Sequence, residues 1–131
     1  MPMTEALQHP ETATSYSSIL GQMISRARTQ LTLNQADIAS ALGITQAAWS
    51  RIERGTTSIT AEQLRTVATL LGREPYEVMR EADAAARVIQ ENGVALVPPK
   101  DYDDLIKNGV MILIGAALGA ALLHLYMKSK S

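Results

Sequence analysis

The chain has 131 residues, 12 Lys and Arg against 13 Asp and Glu, a formal net charge of −1 and no Cys. That length suits one small domain with extensions, and the missing Cys excludes disulfides and thiolate metal sites. His9 and His124 stand far apart. No nucleophile–base pair, useful carboxylate pair or phosphate loop is visible, so no metal, cofactor or enzymatic reaction is expected. The overall charge does not advertise nucleic-acid binding. The stretch from Tyr16 to Arg80, however, holds seven Arg and no Lys against five acids.

Residues 1–15 are polar, with Pro2 and Pro10. They lack the basic start and apolar centre of a signal peptide, and read as a flexible arm. The arm has no Arg or Lys with which to enter a minor groove. A first helix is expected from about Ser17 to Gln30, with Leu20, Met23, Ile24 and Ala27 facing inward at helical spacing. Asn34 suits the N-cap of a second helix, whose buried stripe is Ile38, Ala39 and Leu42. Gly43 then supplies a left-handed C-cap. Thr45 caps a third helix that ends at Gly55. A sharp helix–Gly–helix corner with an exposed second helix is the geometry that puts side chains into a DNA major groove.

Thr56-Thr57-Ser58 is a polar loop. Thr60 opens a fourth helix, with Gln63 placed for a capping box and Leu64, Val67, Ala68 and Leu71 as the inner stripe. Gly72 ends it, and Pro75 suits the first turn of a fifth helix. There Val78, Ala82, Ala85 and Ile89 recur at helical spacing, and Asn92-Gly93 is the end signal. This stripe either packs on its own domain or forms a seam between two copies. Val94 to Val97 is compatible with a short strand, and Pro98-Pro99 reads as a stiff linker. The expected organisation is an arm (1–15), a five-helix domain (16–92), a linker (93–100) and a C-terminal helix (101–131), all of it α-helical.

Leu20 to Met79 resembles the XRE-like helix-turn-helix family of phage repressors and Cro proteins. The resemblance rests on Leu20-Gly21, Ile24, Ala27-Arg28, Leu33-Asn34-Gln35, Ile38-Ala39, Leu42-Gly43-Ile44-Thr45-Gln46 and Ser50-Arg51-Ile52-Glu53-Arg54-Gly55. It implies a dimer on a two-fold DNA operator, with helix 45–54 in the major groove. Gln35 would grip a phosphate and brace Gln46. Gln46 can bond an adenine edge and Arg51 a guanine, while the Ala47 methyl can meet a thymine methyl. Thr45, Ser50, Arg54 and Thr56 complete the expected contact surface. Arg28 and Glu53 match a structural ion pair of the family. Trp49 departs from the usual branched aliphatic residue and is expected to be half-buried core. Ala47 and Ala48 leave the reading face poor in hydrogen-bonding groups.

Between Lys107 and Lys128 there is no charged residue. Twenty residues of helix span about 30 Å, the thickness of a bilayer's hydrocarbon core. Residues 108–127 are therefore expected to cross a membrane, with Gly115 and Gly119 forming a GxxxG contact between helices. The expectation is a tail-anchored protein of the inner membrane, its N-terminal domain in the cytoplasm, with copies paired through the tail and through helix five. Two alternatives stand beside it. One is a RodZ-like membrane scaffold whose helix-turn-helix domain binds a protein partner. The other is a soluble regulator that oligomerises through the C-terminal helix.

Overall fold

The computed structural model describes residues 9–130. The first eight residues of the expected arm lie outside the described residues. Five helices form the larger part: α1 (Tyr16–Gln30), α2 (Gln35–Leu42), α3 (Gln46–Arg54), α4 (Ala61–Leu70) and α5 (Pro75–Glu91). Their ends follow local chemistry. Asn34 Oδ1 accepts from the Asp37 N–H at 2.8 Å, and Asp37 returns the bond to the Asn34 N–H at 2.9 Å. Thr45 Oγ1 caps α3 at the Ala48 N–H. Thr60 and Gln63 form the reciprocal capping box of α4. Such caps satisfy the orphan N–H groups of a helix start, each worth about 1 kcal/mol.

Ile19, Ile24, Ile38, Trp49, Val67, Val78 and Ile89 are fully buried together at the centre of this bundle. The apolar stripe of α5 is Val78, Ala82, Ala86 and Ile89, and it packs on its own domain. That stripe is thus not free to form the seam between copies. At two points α1 and α3 approach so closely that only Gly fits. A Cβ on Gly21 would lie 2.7 Å from the Ile52 carbonyl oxygen. One on Gly55, whose φ is +76°, would fall on the Ser18 backbone.

The chain is mostly helical, but not all-α. Thr12–Thr14 (β1), Ala95–Leu96 (β2) and Met111–Ile112 (β3) form a parallel sheet in the order β2-β1-β3. Ala13 pairs with Ala95 on one side and Ile112 on the other. The C-terminal end of the expected loose arm is therefore the central strand. Runs of two or three residues carry no readable periodicity, so the pairing partners far along the chain decide it. A helix α6 (Tyr102–Lys107), entered through a 3-10 turn at Pro99–Asp101, covers this sheet. Leu105 and Val110 join Ala13 in a second small core. The Pro98-Pro99 segment is thus built into a compact layer, and Val97 N donates to Thr14 O at 2.8 Å.

The apolar run 108–127 does not form one span. Gly109, at φ +81°, turns the chain after α6, β3 follows, and Gly115, at φ +55°, starts α7 (Gly115–Lys130). Among the described residues no helix is long and apolar enough to cross a membrane. The expected anchor, and with it the tail-anchored placement in an inner membrane, is corrected on this ground. The physical reason is that the apolar residues have partners within the chain. Leu118 and Leu122 of α7 are buried in the main core against α1 and α5. The Gly115–Gly119 step also serves this docking, since a Cβ on Gly119 would meet the Gln22 side chain of α1 at 2.5 Å.

Candidate nucleic-acid interface

The corner between α2 and α3 is set by Gly43, which takes φ +69° and lets its N–H reach back to α2. Two residues later Thr45 caps α3. Along α3 the inward face carries Trp49, Ile52 and Glu53, all buried. The outward face carries Gln46, Ala47, Arg51 and Arg54, all exposed, with Ser50 half-buried. Thr45 and Thr56 are exposed at the two ends. The predicted contact residues of α3 therefore share one surface. Arg51 has no ion-pair partner among the described residues. Arg54 is steadied on its own helix, where Nη1 donates to Ser50 Oγ at 2.9 Å. The Thr56 hydroxyl donates to the Arg51 carbonyl at 3.2 Å, tightening the turn after α3.

Beneath this surface lies a charged knot. Glu53 is 5% exposed and receives four donors. Arg28 Nε donates to Oε2 at 2.7 Å and Arg28 Nη2 to Oε1 at 3.1 Å. Gln35 Nε2 adds a bond to Oε1 at 2.9 Å, and Trp49 Nε1 one to Oε2 at 2.7 Å. The remaining Arg28 donor goes to the Leu33 carbonyl. The Arg28–Glu53 pair is where the sequence indicated, but it is larger than a pair. Gln35 turns inward to Glu53 instead of bracing Gln46, so its expected phosphate grip is not what its side chain is engaged in here. Trp49 is fully buried and not half-buried. Its bond to Glu53 was missed, although the spacing of four residues on one helix signals it. A buried carboxylate needs such a full set of donors to offset its desolvation. The knot ties α1, α2 and α3 into one rigid unit.

The C-terminal layer touches the far end of α3. Ser18 Oγ donates to the Arg54 carbonyl at 2.9 Å and lies 3.1 Å from the Tyr102 hydroxyl. Gly115 lies against the Arg54 side chain, a Cβ there falling 3.7 Å from Cγ. In the same first turn of α1, Tyr16 donates to Asp83 of α5 at 2.5 Å. Burial, reinforced by that carboxylate, pushes its phenol up to about 12.

Comparison with known proteins agrees with this geometry. Residues 24–78 match the helix-turn-helix family, of the XRE type. Two crystal structures of the clp gene regulator ClgR from Corynebacterium glutamicum are similar. One aligns 63% of this chain with 88% of its own at 26% identity, with a TM-score of 0.54. The other aligns 53% with 91% at 24% identity, with a TM-score of 0.50, and shows a shared fold. No curated protein matches the chain. The matched segment, residues 24–78, runs from within α1 to the first turn of α5 and holds every expected DNA-contact residue.

Proposed function

We propose that the chain is a DNA-binding transcriptional regulator that places the N-terminal half of α3 in the major groove. The carrying observation is the exposed face of Gln46, Ala47, Ser50 and Arg51, backed by the rigid Glu53 knot. A reading helix needs that combination, because base contacts are short and directional while the helix must not give. Similarity to a clp gene regulator at 26% identity supports the reading. Gln46 is the residue assigned to base recognition. Arg51 is assigned to a guanine edge or a phosphate, and Arg54 and Thr56 to phosphates. Gln35 is assigned to holding Glu53, with only its helix N-terminus left to face the backbone. The inward stripes of α5 and α7 are occupied inside the chain, so those two faces do not supply the expected seam between copies.

The test is selection of bound DNA from random sequence by the full chain, followed by gel shift at fixed salt. Gln46→Ala should lower affinity for the selected site by about 1–3 kcal/mol and relax preference at one position. Arg54→Ala should weaken all sequences alike and flatten the salt dependence. If no sequence is enriched, and binding at low salt stays weaker than micromolar, the regulator reading fails.

A further inference from the structure

Between α1, α5 and α7 the surface opens into a groove of about 800 Å³. Met23 and Ala27 of α1, Ala85 and Val88 of α5, and Leu122 and Leu123 of α7 supply its walls. Its volume lies in the range of small-molecule sites, about 300–1,000 Å³. Its polar lining residues are Arg26, Gln30, Arg73, Glu81 and Tyr126. Arg73 is paired with Glu81, so that couple is neutral. Arg26 is exposed and has neither ion pair nor hydrogen bond among the described residues. The groove therefore combines aliphatic walls with one uncompensated cation at the rim. Two large apolar side chains, Leu31 at 48% and Leu123 at 56%, stay exposed beside it. Exposed apolar residues gathered at one concavity mark a binding surface.

We propose that this groove binds a linear aliphatic monocarboxylate, its chain along the α1–α5–α7 walls and its carboxylate at Arg26. The charge balance selects the occupant: one positive group fits one carboxylate. This site is separate from the α3 face and does not depend on the DNA reading. Because α7 forms one of the walls, a ligand here contacts the helix whose first turn lies against the Arg54 side chain.

The experiment is calorimetric titration of the full chain with octanoate, decanoate and dodecanoate below their micellar thresholds. Each added methylene should tighten binding about fourfold. Decanol should bind about fivefold more weakly than decanoate, and Arg26→Gln should remove that difference, the value of an exposed charge pair. Ala84→Trp, at an exposed position lining the groove, should abolish binding, whereas Arg87→Gln on the same helix should not change it. Far-UV circular dichroism of each variant establishes that it is folded; should Ala84→Trp not fold, Ala84→Met serves and should weaken binding at least tenfold. The proposal falls if decanoate shows no saturable binding below about 1 mM. It also falls if filling the groove leaves binding unchanged. Sedimentation supplies a third arm: if wild type is a dimer that Ala84→Trp dissociates, a second copy occupies the groove and the proposal is wrong.

Discussion

Replacing Glu53 by Ala is the sharpest probe of what holds the reading head together. Glu53 is 5% exposed and Arg28 13% exposed, so their pair is largely out of water. The substitution leaves the Arg28 guanidinium with one remaining acceptor, the Leu33 carbonyl at 2.8 Å. It also strands the Trp49 indole N–H and the Gln35 amide. Breaking a buried pair from one side costs about 3–5 kcal/mol. An unsatisfied buried donor costs about 1–3 kcal/mol, and the two penalties overlap because they share one cavity. The expected loss is about 4 kcal/mol, a large part of the 5–15 kcal/mol typical of a whole domain. Urea unfolding followed by the fluorescence of Trp49, the single Trp, reads it directly. At a slope of about 1–2 kcal/mol per M the midpoint should fall by about 2–4 M with the slope unchanged. Arg28→Met combined with Glu53→Leu should recover part of the loss, because no charge is then left stranded. A loss below about 1 kcal/mol for Glu53→Ala would place the knot among weak surface pairs and refute the reasoning.

Three further outcomes follow from the packing. Among the glycines, Gly55→Ala should be worst, meeting the Ser18 backbone and holding a positive φ, so that no folded protein is recovered. Gly21→Ala meets carbonyl oxygens of α3 and should cost about 1–3 kcal/mol or more. Gly43→Ala meets nothing within 4 Å and should cost only the left-handed strain, about 1–2 kcal/mol; calorimetric melting that inverts this order would be decisive against it. Leu118→Ala should destabilise the unfolding seen at Trp49 by about 2–5 kcal/mol, since Leu118 is fully buried in the same core. An independent tail helix predicts no effect there. An alkaline absorbance titration should contain a late tyrosinate step near pH 12 that Tyr16→Phe removes. The sign is set by a folded pKa raised above the ordinary value. Stability from Tyr16 is then fully present below about pH 10 and lost as pH rises toward 12.

The helix-turn-helix part was legible because its signals are local. Asn34, Thr45 and Thr60 cap within three residues of themselves, and Gly43 and Gly55 fix left-handed turns whatever packs around them. The α1 and α4 stripes repeat often enough to define a buried face. The Arg28–Glu53 pair needed the family resemblance, since 25 residues separate its members. The inward turn of Gln35 and the complete burial of Trp49 were not legible: both respond to where Glu53 sits in space.

The tail shows the limit most clearly. Its sequence showed a largely apolar run of 20 residues without Asp, Glu, Lys or Arg that needs cover for part of its surface, and nothing more. Whether lipid or protein receives them depends on surfaces built elsewhere in the chain. The tertiary structure supplies those surfaces: β1 takes up β3, and α1 and α5 take up Leu118 and Leu122. Hydrophobic burial is non-directional, so an apolar run states a need to be covered without naming the cover. Caps and turns are directional and short-ranged, and the sequence alone fixes them.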